Sequence, residues 1–153
     1  MSASKKFPVT VIAHVGCESL SETQELAKHA EEAGAAAIGL MPPTFFKPAS
    51  IQVLVEFIAR VAAVAPSLPT YYYHIACMTG VDFNMEALLR QVDRHGIPNF
   101  RGVKFTDYKI HEFMGCARNF NGKYDMLYGR DEQLLSAVAV GAEGNAGLVC
   151  GLR

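Results

Sequence analysis

Six short apolar or aromatic runs recur along the chain about 30 residues apart, and this repeat restricts the fold more than any other feature. They fall at residues 9–16, 35–41, 70–75, 100–107, 124–129 and 145–150. Each is short and lacks strict polar alternation, which is the pattern of a strand buried on both faces. A helical pattern follows each of the first five. Ser19 opens one with the Ser19-x-x-Glu22 capping-box spacing, Leu20, Thr23, Ala27 and Ala30 share a face, and Gly34 ends it. Ser50 opens the next, with Ile51, Leu54, Val55, Ile58, Val61, Ala62 and Ala65 inward and Pro66 closing it. Asn84 caps a helix whose apolar face is Met85, Leu88, Leu89 and Val92. Ile110, Phe113, Met114 and Ala117 mark another. Asp131 and Glu132 open the last, with Leu134, Leu135 and Val138 inward and Gly141 at its end.

Strand and helix in strict alternation mean α/β architecture, a parallel sheet covered by helices. No G-x-G-x-x-G follows the first run and no G-x-x-x-x-G-K-[ST] occurs. Doubly wound nucleotide-binding folds therefore lose ground. The unit length suits a (β/α)8 TIM barrel, but such a barrel usually needs ~250 residues. With 153 residues and six units, the expectation is one incomplete (β/α)8 barrel domain spanning residues 1–153.

Composition removes several function classes. The net charge is −1 and no basic block appears, so nucleic acid and anionic membrane are not expected partners. No apolar run reaches the ~18 residues of a membrane span. Residues 1–8 lack the apolar core of a secretory signal. Cys17, Cys77, Cys116 and Cys150 lie far apart with no C-x-x-C. That spacing argues against zinc and against a disulfide framework, and it suits free thiols in a reducing cytosol.

In a barrel of this kind the chemistry sits at the carboxyl ends of the strands. The run at 100–107 carries Lys104 between Val103 and Phe105, with Lys104 and Thr106 on one face of the strand. Two readings fit. Lys104 is either a solvated lysine that guards a strand edge, or a desolvated amine that attacks a carbonyl and forms a Schiff base. The third run ends in Tyr73 and His74, and the fifth in Gly129, followed by Asp131 and Glu132. A tyrosine beside an amine pairs an acid/base with a nucleophile. Thr106 can hold a carboxylate or a reacting oxygen, and the two acids can accept bonds from sugar hydroxyls. Each residue also has a structural reading. Tyr71, Tyr72 and Tyr73 are good strand formers. Asp131 and Glu132 complement a helix N-terminus. His74 fits a buried histidine with its hydrogen bonds satisfied. The apolar loop at 43–48, with Phe45 and Phe46, either lines a site or interface or packs on its own barrel.

The segments Tyr73-His74-Ile75…Thr79-Gly80-Val81, Gly102-Val103-Lys104-Phe105-Thr106 and Tyr128-Gly129-Arg130-Asp131-Glu132 resemble the N-acetylneuraminate lyases of the lyase/dihydrodipicolinate synthase superfamily of class I aldolases. His14-Val15-Gly16, the stretch Glu22 to Ala27 and Phe45-Phe46-Lys47-Pro48 extend the resemblance from about residue 9 to 147. It implies Lys104 as the Schiff-base lysine and Tyr73 as proton donor and acceptor. It also implies Thr106, Gly129, Asp131 and Glu132 at the substrate chain. The implied reaction is reversible cleavage of N-acetylneuraminate to N-acetylmannosamine and pyruvate. It needs no metal and no added cofactor, and it takes place in the cytoplasm in a homotetramer. Another pyruvate-dependent aldolase of the superfamily, or an impaired partial form that associates with full-length lyase, is the alternative.

Three departures stand out. The family begins with two more β-α units, including a G-x-T-G-E-type loop for the pyruvate carboxylate. Leu148 stands where the family has a substrate-binding serine, and Ala76 where it usually has proline. The chain thus resembles strands three to eight of the barrel. Open strand edges would make it poorly soluble or oligomeric. Turnover would be at least ~10³-fold below a complete barrel.

Overall fold

The computed structural model describes residues 9–142 and 144–146. Its elements run β1 (Ile12–His14), α1 (Leu20–Glu32), β2 (Ala37–Leu40), α2 (Ile51–Ala62), β3 (Thr70–His74), α3 (Ala76–Thr79), α4 (Met85–His95), β4 (Phe100–Phe105), α5 (Ile110–Asn119), β5 (Asp125–Tyr128), a 3₁₀ turn (Asp131–Gln133), α6 (Leu134–Ala139) and β6 (Gly144–Asn145). The strands form one sheet in the order β1-β2-β3-β4-β5-β6, every neighbouring pair parallel. Sequential order is the winding of a (β/α)8 barrel and not of a doubly wound sheet. Among the described residues β1 and β6 do not pair with each other, so the sheet is an open part of such a barrel. The expected sixth strand is seen at Gly144–Asn145, and its continuation to Cys150 lies outside the described residues.

The core lies between the sheet and its helices. Ile38, Leu40, Tyr72, Val103 and Phe105 from the strands meet Leu54, Ile58, Leu88, Leu89 and Phe113 from the helices, all essentially inaccessible to water. Leu54 is fully enclosed. Its truncation to alanine is expected to cost about 2–5 kcal/mol. The cap residues explain where two helices start. Ser50 accepts a hydrogen bond from the Val53 amide and Asn84 from the Ala87 amide. Each satisfies one of the backbone donors that a helix start leaves over.

Several expectations are corrected. Ser19 precedes α1 but makes no side-chain cap; its hydroxyl bonds Ser21 instead. Thr23 ties that turn together, donating to the Ser19 carbonyl at 2.8 Å and accepting from the Cys17 amide at 3.1 Å. The run at 9–16 is only partly buried: Val15 joins the core, but Val9, Val11 and Ile12 are 65%, 46% and 48% exposed, because β1 is an edge strand. Leu135 and Val138 face water, and Ala137 packs inward. The helix follows a 3₁₀ turn at Asp131–Gln133, whose three residues per turn differ from the α-helical spacing the sequence pattern assumed. Phe45 and Phe46 do not pack on the barrel. They stand 79% and 81% exposed, ring edge against ring face, at 4.9 Å. α3 was not expected; its four residues end at Gly80, which adopts the left-handed conformation. Ala76 opens it, a first helical position where proline is equally at home. Among the described residues no helix is long and apolar enough to cross a membrane.

Candidate active site

One irregularity in β4 sets the site. Thr70 pairs with Phe100, but Tyr71 pairs with Gly102, so Arg101 is an extra residue in the strand. The bulge lets Phe100 turn to the helix side, where its ring meets Tyr124 at 5.7 Å. Gly102 and Lys104 then come into register with Tyr71 and Tyr73 on the concave side. Across β5 the same two rows continue as Asp125 and Leu127.

These rows line a cavity of about 220 Å³ on the concave face. Its walls include Ile12, His14, Tyr71, Tyr73, Lys104 and Leu127. Gly39 also contributes, and its missing side chain leaves room between His14 and Tyr71, its partners in register. In the floor row the Tyr71 hydroxyl donates to Asp125 Oδ2 at 2.6 Å. That bond spans β4, where Gly102 presents no side chain. Burial first, then the Asp125 bond and charge, push the Tyr71 hydroxyl up to about 12. It stays protonated and serves as a fixed donor.

In the row above, Lys104 Nζ lies 4.0 Å from the centre of the Tyr73 ring. Among the described residues Lys104 forms no ion pair. Its partner is the Tyr73 ring face, a cation–π contact. Lys104 is partly buried, on a strand with neighbours on both sides. His14 stands edge-on to Tyr73 with ring centres 6.4 Å apart. Packing around it, then the Lys104 ammonium, hold His14 below the ordinary histidine range. Sequence reasoning missed His14 as a cavity residue. Its signal was the alternation that puts Ile12 and His14 on one face.

The other expected residues fall into two places. Thr106 lies just past β4, 2% exposed, and its hydroxyl has no hydrogen-bond partner among the described residues. It rests on Gly129, where an added Cβ would stand 2.0 Å from Thr106 Oγ1. The Gly129 amide donates to the Phe105 carbonyl at 2.8 Å. Thr106 and Gly129 therefore meet at the strand ends but do not line the Lys104 cavity. Asp131 and Glu132 sit beyond them on the 3₁₀ turn. Glu132 accepts a 2.5 Å bond from the Tyr108 hydroxyl, which holds its carboxyl below the usual range. Arg130 covers the Tyr108 ring at 4.3 Å and reaches Cys77 Sγ at 3.3 Å. Tyr108, Arg130 and Cys77 thus form a rim cluster that the sequence did not reveal. His74 is buried as expected, but neither ring nitrogen has a hydrogen-bond partner among the described residues, so the expectation of a histidine with its hydrogen bonds satisfied is corrected.

Comparison with known proteins agrees with this arrangement. Residues 3–150 match the model of the dihydrodipicolinate synthetase family. A curated N-acetylneuraminate lyase of Xenopus tropicalis is 50% identical over 137 residues, which cover 90% of this chain and 44% of that protein. The solved N-acetylneuraminate lyase (sialic acid aldolase) of Aliivibrio salmonicida superposes with a TM-score of 0.88 at 41% identity, covering 95% of this chain and 48% of that one. A Ruminococcus gnavus sialic acid aldolase altered at its catalytic lysine gives 0.84 at 30% identity, over 93% of this chain and 45% of that one. The chain spans less than half the length of these relatives.

Proposed function

Because the chain belongs to the dihydrodipicolinate synthetase family, we propose that it carries the Schiff-base half of an N-acetylneuraminate lyase site. Lys104 is the nucleophile and Tyr73 the acid/base. The observation that carries this reading is the Lys104 amine held 4.0 Å over the Tyr73 ring, in a cavity at the centre of the sheet. The 50% identity to a lyase and the catalytic lysine of a solved relative support it.

In this reading the Lys104 amine attacks the keto carbon of the substrate and water leaves. The protonated imine draws electrons from the bond between its α and β carbons, which breaks to leave an enamine on Lys104 and the aldehyde of the sugar product. Tyr73 relays the proton of the substrate hydroxyl, giving its own phenolic proton to the enamine carbon as it takes that one up; water then hydrolyses the imine, which releases pyruvate and restores the Lys104 amine. Thr106, Gly129, Asp131 and Glu132 contact the sugar chain from the strand ends and the rim. Tyr71 and Asp125 brace the floor. The products are N-acetylmannosamine and pyruvate, with no cofactor. The chain acts as a single partial barrel domain over residues 1–153, in the cytoplasm and as a homo-oligomer.

The test is a product assay. The chain is incubated with N-acetylneuraminate and, separately, with other aldols of pyruvate, and released pyruvate is measured. Preferential release from N-acetylneuraminate supports the lyase. Preferential release from another aldol assigns the chain to a sister activity of the superfamily. Release from none contradicts both.

A further inference from the structure

A second cluster of ionisable groups stands at the same end of the sheet, and the proposed reaction uses none of it. His74 closes β3, Asp107 lies two residues past β4, and Asp82 sits on the loop between α3 and α4. One ligating atom from each falls within 4.8 Å of the others. His74 is 1% exposed, and neither ring nitrogen has a hydrogen-bond partner among the described residues. Its Nε2 points at Asp107 Oδ2 from 3.7 Å, beyond hydrogen-bond reach. A buried imidazole in that condition forfeits its hydration without compensation. Burial holds the ring below the ordinary histidine range against the opposing pull of Asp107 and Asp82. A neutral imidazole is the form that ligates metals.

The same place already attracts a cation. Lys109 Nζ lies 2.7 Å from both Asp82 oxygens and 3.9 Å from Asp107. Asp82 and Lys109 are both substantially exposed, so the ammonium can swing into water while the buried imidazole stays fixed. We propose that His74, Asp82 and Asp107 bind a divalent cation of the zinc class, in competition with the Lys109 ammonium. One imidazole and two carboxylates are a borderline donor set, better suited to zinc than to magnesium or calcium. Tetrahedral zinc holds its ligands about 3.3 Å apart. The present separations are wider, so the aspartates would turn toward the imidazole on binding. Water would take the fourth position. The ion would tie together the ends of β3 and β4, one residue beyond Tyr73 and Thr106, and fasten the α3–α4 loop to them.

The experiment is a calorimetric titration of the metal-stripped 153-residue chain with zinc, repeated with cobalt(II) while the absorption spectrum is recorded. One-to-one binding without a thiolate-to-cobalt charge-transfer band is expected. His74→Phe and Asp107→Asn should each weaken binding roughly tenfold or more. Lys109→Met should tighten it, because it removes the competing cation. If circular dichroism shows that either buried-side variant unfolds, the exposed Asp82→Asn takes its place with the same expected loss. The proposal is overturned by no binding, by binding that these substitutions leave unchanged, by a thiolate band, or by a Lys109→Met variant that binds no more tightly.

Discussion

Substituting Gly129 with alanine puts a number on the contact that joins the ends of β4 and β5. The added Cβ would lie 2.0 Å from Thr106 Oγ1, 3.0 Å from its Cβ and 3.2 Å from its Cα. The Gly129 amide is bonded to the Phe105 carbonyl at 2.8 Å, so the backbone cannot retreat without losing that bond. Overpacking of this kind costs about 1–3 kcal/mol, and a weakened backbone bond adds about 0.5–1.5. Gly129→Ala is thus expected to lose about 2–4 kcal/mol. Thr106→Ala alone should cost less than about 1 kcal/mol, because the hydroxyl it removes is buried and unpartnered. In the double variant the shortest contact is gone and the contacts to Cβ and Cα remain, so about half of the loss should return. The assay is urea unfolding of the four proteins followed by circular dichroism. A Gly129→Ala variant within 0.5 kcal/mol of the parent would refute the reasoning. So would a double variant no more stable than Gly129→Ala.

Three further outcomes are expected. Tyr73→Phe should lower turnover ~10²–10⁴-fold while leaving imine formation less affected, as read by product release against borohydride trapping; equal turnover would remove Tyr73 from proton transfer. His74 has a folded-state value below the ordinary 6.5, so the unfolded chain takes up the proton first. Stability should be full above about pH 6.5 and fall as the pH drops below it, and His74→Phe should flatten that slope in urea midpoints. The exposed apolar residues of edge strand β1 should make the isolated chain associate, so Ile12→Lys should reduce light scattering at equal concentration.

Local signals in the sequence were the readable ones. Ser50 and Asn84 cap their helices because a cap is decided within four residues. The same signal failed at Ser19, where Thr23 already bonds the turn and the serine hydroxyl turns to Ser21. Buried strands and the inward faces of α2 and α4 follow from periodicity alone. Lys104 and Tyr73 could be placed on adjacent strand ends, but their contact depends on the bulge at Arg101, which no local pattern announces. The approach of His14 to Tyr73 and Lys104 needs the curvature of the whole sheet. The rim formed by Tyr108, Arg130 and Cys77 joins three segments distant in sequence. Leu148, where the family has a serine, lies outside the described residues.

The central claim is that Lys104 is the amine that forms an imine with a 2-keto acid. The most direct measurement is borohydride reduction of the chain in the presence of pyruvate, followed by mass mapping of its peptides. A reduced pyruvate adduct on Lys104, absent without pyruvate and lost in Lys104→Ala, is the expected result. An adduct formed at full yield in Lys104→Ala, or none at Lys104 in a folded chain, would contradict it.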